Sequence, residues 1–221
     1  CALGEGDDSL AAGRPLLAVS LLDRASFYGC LTFMQRFDLN QIPHSPWKNG
    51  GGSTREIACW PQGAGMDSFG WRVSVATIAQ AGPFSAFPGI DRQIMLLDGD
   101  GVQLVSAAAG IDHALQQRWQ PFAFSGDAAL DCSLLGGTST DFNVMTRRGQ
   151  WSAEVSIHDA AVQPGRGAAG LCLVLQGGFA QGQTVLQAGQ GLWWDAAEDA
   201  EPLLPGDAHS RLVLVSLHQA A

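Results

Sequence analysis

The run WRVSVATI at residues 71–78 decides the fold class. Successive side chains of an extended chain point to opposite sides, so Trp71, Val73, Val75 and Thr77 share one face and Arg72, Ser74 and Ala76 the other. The first face asks for an apolar core. The second places a charged arginine in mid-strand, where it needs either a carboxylate such as Glu56 or a polar pocket, because an unpartnered buried charge costs several kcal/mol.

The same period-two pattern extends outward. QRFDLNQI at 35–42, TREIACW at 54–60, RQIMLLD at 92–98, DFNVM at 141–145 and EVSIH at 154–158 read as strands. Asp98-Gly99-Asp100-Gly101 is a hairpin signal, and Val102–Val105 returns from it. One short helix is expected somewhere in 138–150. Leu171–Leu175 followed by Gln176-Gly177-Gly178 echoes Ile94–Leu97 followed by Asp98-Gly99, a weak internal repeat. Many short strands with almost no helical periodicity predict an all-β sandwich or jelly-roll barrel, and two echoing halves predict two of them.

Composition agrees. Of 221 residues, 28 are Gly and 10 Pro, while charged residues make up only 15%, leaving little material for long amphipathic helices. The net charge of −9 repels phosphate backbones and anionic membrane surfaces, so neither nucleic acid nor membrane is expected as a partner. Five widely spaced cysteines form no CxxC pair and read as buried thiols of a cytoplasmic protein.

The residues that could carry chemistry are few. His44, His113, His158, His209 and His218 form no HxH or HxxxH pair, so no metal and no cofactor is expected. Gly-x-Ser-x-Gly is absent, and no pair of carboxylates stands out, so no catalytic residue is assigned. Lys48-Asn49 leads into Gly50-Gly51-Gly52, which reads as a plain glycine loop or as a loop whose amides approach a ligand. Arg72 with Ser74 is either half of a buried salt bridge or an anion-gripping fork. Asp141 and Asn143 share a strand face that is outward or lines a wet cavity.

Four stretches together resemble the HutD/Ves family: PWKNGGGSTRE at 46–56, WRVSVA at 71–76, GPFSAFPGIDR at 82–92 and DFNVM at 141–145. The resemblance implies a bicupin, two double-stranded β-helix (cupin-type) barrels lacking the usual metal histidines. It divides the chain into a cupin-like barrel over 34–150 and a cupin-like half over 151–221 interlocked with it. Residues 1–33 fall outside the resemblance and are expected to be a non-native or disordered extension, with Met34 reading as a normal start. The family association is with histidine utilisation and environmental stress. This implies a regulatory protein binding a small carboxylate, N-formyl-glutamate or urocanate. The alternative is a metal-free cupin enzyme acting on a related acid, with Glu56 or Asp141 as base. The residues inside the family motifs that could bind such a ligand are Lys48, Asn49, Thr54, Glu56, Arg72, Ser74, Ser85, Arg92, Asp141 and Asn143. Gly82-Pro83-Phe84 and Phe87-Pro88-Gly89 are expected to be structural turns. Barrels of this kind often pair, so a homodimer is compatible with the reading, although no segment specifies an interface.

Overall fold

The computed structural model describes residues 34–164, 169–195 and 200–220. The extension expected over 1–33 lies outside the described residues. In chain order the strands are β1 (Gln35–Asp38), β2 (Ser45–Pro46), β3 (Gly52–Trp60), β4 (Trp71–Ile78), β5 (Gly82–Phe84), β6 (Ile90–Asp98), β7 (Val102–Ser106), β8 (Ile111–Leu115), β9 (Phe122–Ser125), β10 (Leu130–Leu134) and β11 (Ser139–Arg147). Then follow β12 (Trp151–His158), β13 (Ala169–Gln176), β14 (Gly178–Gln181), β15 (Thr184–Gln187), β16 (Gln190–Trp194), β17 (Leu204–Pro205) and β18 (Arg211–Gln219).

A six-stranded sheet, β2-β3-β4-β11-β6-β9, and a four-stranded sheet, β5-β10-β7-β8, wall one barrel. A five-stranded sheet, β1-β16-β13-β18-β12, and a three-stranded sheet, β15-β14-β17, wall the other. β1 precedes the first barrel in sequence yet pairs with β16 of the second, Gln35 lying opposite Trp193. The expected strand over 35–42 is therefore only half a strand. After Asp38 the chain turns through a 3-10 helix, Leu39–Gln41, with the Asp38 carboxylate accepting a hydrogen bond from the Asn40 amide at 2.9 Å.

No helix forms within 138–150. That segment is β11, hydrogen-bonded to β4 on one side and β6 on the other. The reason is its period-two burial: Phe142 and Val144 face the core between the barrels, while Asp141, Asn143 and Met145 face the first barrel's interior. A helix would scatter these residues around its circumference.

The large sheets of the two barrels share a core. Trp71, Val73 and Val75 of β4 and Phe142 and Val144 of β11 pack with Leu171 and Leu173 of β13 and Val213, Val215 and Leu217 of β18. Trp71 meets Trp151 and Trp193 edge-on, at centroid distances of 6.5 and 6.2 Å. Each fully buried side chain of this size contributes about 1.5–3 kcal/mol.

The internal repeat is built in the same way twice. In the first barrel the Gly101 amide donates to Ser139 Oγ at 2.8 Å, at the first residue of β11; in the second the Gly178 amide donates to Ser210 Oγ at 3.2 Å, just before β18. Both serines are fully buried. Gly99, at φ +98°, would drive a Cβ to 2.4 Å from the Thr138 carbonyl, and Gly177, at φ +66°, to 2.6 Å from Ser210 Oγ. Counting from these matched points, β11 corresponds to β18 and β6 to β13. Among the described residues no helix is long and apolar enough to cross a membrane.

Candidate functional site

Strands β4, β11 and β6 lie side by side, and their inward residues form successive rungs. Arg72, Met145 and Arg92 make the first, Ser74, Asn143 and Ile94 the second, and Ala76, Asp141 and Leu96 the third. On β13 and β18 of the second barrel, the pairs matched to the second and third rungs are apolar, Cys172 with Leu214 and Val174 with Leu212. Leu214 and Leu212 stand where Asn143 and Asp141 stand, and Gly170 stands where Arg92 stands. A Cβ on Gly170 would lie 2.5 Å from the Trp194 ring, so an indole fills the space that the arginine occupies in the first barrel. One barrel interior is packed with Cys172, Val174, Phe179, Leu186 and Trp194. The other encloses a cavity of about 600 Å³.

Lys48, Asn49, Thr54, Arg72, Ser74, Ser85, Arg92, Asp141 and Asn143 all line that cavity. Glu56 does not. Its half-exposed carboxylate lies to one side, 2.6 Å from Arg72 Nε. Arg72 Nε pairs with Glu56, whose carboxylate is half-exposed rather than buried, while Nη1 donates to Ser74 Oγ at 3.3 Å inside the cavity. The glycines 50–52 are a turn rather than a wall. The Asn49 side chain accepts from the Gly51 amide at 3.0 Å, and the Gly51 carbonyl accepts from the amides of Ala79 and Gln80. Gly52 lets the Trp47 ring lie 3.0 Å from where its Cβ would be. The Trp47 indole N–H donates to Thr54 Oγ1 at 2.8 Å, which fixes the Lys48 loop over the cavity.

Arg92 is the buried cation of the site, 5% exposed. Nε and Nη2 donate to Asn143 Oδ1 at 3.3 and 3.1 Å, and Nη1 donates to the Ser85 carbonyl at 3.2 Å. The rings of Phe84, Phe87 and Phe124 surround the guanidinium at 4.5, 5.3 and 5.2 Å. Burial, with the Arg72 charge adding to it, pushes the Arg92 pKa down to about 9, so it stays protonated at neutral pH. Phe84 and Phe87, expected to be turn residues only, thus form part of the cavity wall as well. Aromatics eight and five residues before Arg92 are the only signal for this in the sequence. Met66, Pro83 and Met145 also line the cavity.

Asp141 is the opposite case. It is 1% exposed, and among the described residues neither carboxylate oxygen has a hydrogen-bond partner. Its neighbours in the rung, Ala76 and Leu96, are apolar. Burial pushes its pKa up to about 7.

The cavity lining therefore sets three cations, Lys48, Arg72 and Arg92, against one carboxylate, in a chain whose net charge is −9. That donor set does not fit the divalent cation common in barrels of this type, which wants neutral imidazoles and carboxylates. Among the described residues no group of three or more His, Cys, Asp or Glu side chains could hold a metal ion. The lining fits a small anion.

Comparison with known proteins agrees with the fold and the motifs. The HutD family profile matches residues 39–212. Protein Ves from Cronobacter sakazakii is 38% identical over 175 residues, 79% of this chain and 94% of the relative. The structure of HutD from Pseudomonas fluorescens SBW25, in a formate condition, superposes with a TM-score of 0.73 at 28% identity, covering 86% of this chain and all of that one. A cupin 2 conserved barrel domain protein from Leptotrichia buccalis, at 8% identity and a TM-score of 0.52 over 83% of this chain and 96% of that one, shares the fold alone. The chain is a cupin-type β-barrel protein and belongs to the HutD/Ves family.

Proposed function

We propose that the chain is a regulatory binding protein that holds a small carboxylate in its N-terminal barrel, an intermediate of histidine degradation such as N-formyl-glutamate or urocanate. Arg92 carries this reading. Its guanidinium is buried, yet its partners, Asn143, the Ser85 carbonyl and three phenylalanine rings, are all neutral. A buried cation without a counter-ion is costly. An incoming carboxylate supplies the missing charge and suits the planar donor fork of an arginine. Arg72 and Lys48 add positive field from the same cavity, and Asn49 and Ser74 add polar groups that can fix orientation. A volume of about 600 Å³ suits a small molecule.

Titration calorimetry of the wild type and Arg72→Ala with N-formyl-L-glutamate and urocanate tests this. The variant is expected to fold and to lose at least about tenfold in affinity for the acid that the wild type binds. Equal affinity in the two proteins overturns the reading. One observation favours a second reading, a metal-free enzyme: Asp141, with its pKa near neutrality, could act as a general base. Turnover of either acid, lost in Asp141→Asn, distinguishes that case.

A further inference from the structure

We propose that Asp141 is a specificity-determining residue, and that the acid held by the arginines carries an N–H group, from an amide or an azole ring, that donates to the Asp141 carboxylate. The proposal rests on the carboxylate reading above and adds the second half of the ligand to it.

Asp141 lines the cavity from near the start of the central strand, almost wholly buried, with both oxygens unpartnered among the described residues. Buried carboxylate oxygens without partners are rare in native proteins, and each needs an explanation. Its rung neighbours, Ala76 and Leu96, offer no side-chain donor, and the Cys132 thiol, which feels the Asp141 charge, makes no hydrogen bond to it. The corresponding position in the other barrel is Leu212, so the fold itself does not need an acid there. An ionised carboxylate only accepts hydrogen bonds, so what completes it must donate.

The geometry also sets a spacing. The guanidinium of Arg92 bonds Asn143, and that of Arg72 lies against Ser74, so both cations sit at the second rung. Asp141 is one rung further along, two residues down β11 from Asn143. Two strand residues span about 6.5–7 Å. The ligand is therefore extended, with an anionic group at one end and an N–H about 6–7 Å away at the other. A plain short acid fills only the arginine end.

A pair of probes isolates the N–H. (E)-3-(1H-pyrrol-3-yl)acrylate and (E)-3-(furan-3-yl)acrylate share the carboxylate, the rigid extended frame and the ring shape, and differ in N–H against ring oxygen. Calorimetric titration at pH 8 is expected to give the wild type a preference for the pyrrole acid of about tenfold or more, as a charge-assisted hydrogen bond provides. Asp141→Leu is expected to erase the preference while keeping the furan acid within about threefold of its wild-type affinity. Equal binding of both acids by the wild type, or an unchanged preference in Asp141→Leu, overturns the role of Asp141 and leaves the carboxylate reading standing. Binding of neither acid by a folded wild type, with no response to N-formyl-L-glutamate or urocanate, overturns both.

Discussion

Arg72 and Arg92 face each other across Met145, one on each strand flanking β11, and both reach past it to the next rung, where they meet Ser74 and Asn143. Like charges that share a cavity repel, and the Arg72 charge adds to burial in lowering the Arg92 pKa. The pair differs in one respect. Arg72 has a carboxylate, Glu56, and Arg92 has none among the described residues.

Arg92→Lys tests the fork. Lysine keeps the charge but loses the planar donors and the ring stacking, so the two changes are not equivalent. The variant is expected to bind the acid about tenfold or more weakly than the wild type by calorimetry, with an intact far-ultraviolet circular dichroism spectrum.

Glu56→Gln separates binding from catalysis. The Glu56 side chain is 43% exposed and lies outside the cavity lining, so its ion pair contributes no more than about 1 kcal/mol to stability. Releasing Arg72 from it leaves more positive field for a ligand. Affinity is expected to be unchanged or higher, whereas a Glu56 general base demands a loss of turnover.

Asp141→Asn gives a pH signature. The Asp141 pKa is raised by burial from 3.8 to about 7 in the folded protein. The folded state therefore holds a proton that the unfolded chain has already released, and the stability linked to this group is present below about pH 4 and is lost as pH rises to about 7. Arg92, which shares the cavity, stays protonated through this range. Asparagine does not ionise, so the variant's stability advantage over the wild type is expected to grow between about pH 4 and 7 and then level off, by a few kcal/mol. Urea unfolding of both proteins across pH 4–8 measures it; parallel curves contradict the burial of an unpartnered carboxylate.

Ser139→Ala and Ser210→Ala test the repeat. Each removes the acceptor of a turn amide next to a fully buried serine, of Gly101 and Gly178 respectively. Each is expected to cost about 1–3 kcal/mol in urea unfolding. A cost at one site only contradicts the structural equivalence of the two turns.

Much of this arrangement was legible in the sequence, because strand alternation is a local rule. WRVSVATI and DFNVM sort their residues onto the faces that the fold uses, and the partnership of Arg72 with Glu56 follows from charge in mid-strand. Three features were not legible, for long-range reasons. The phenylalanines around Arg92 depend on how the segment 82–89 folds back over the barrel, which no local pattern encodes. Glu56 shares its nominal strand face with Thr54, but a register shift between Glu56 and Ala58 marks where regular pairing with β4 fails, and only Thr54 lines the cavity. Ser139–Arg147, inside the stretch 138–150 where a short helix is expected, is held extended by strands on both of its edges.

The most direct test of the central claim is thermal unfolding of the wild type against N-formyl-L-glutamate, urocanate, glutamate, formate and a set of divalent metals. A ligand at one hundred times its Kd adds about 2.7 kcal/mol, and at this chain length each kcal/mol raises the Tm by roughly 2–4 °C. A carboxylate that spans the cavity is expected to raise the Tm by about 5–10 °C, and metals are expected to leave it unchanged. A Tm that moves with a metal and with none of the acids contradicts the claim.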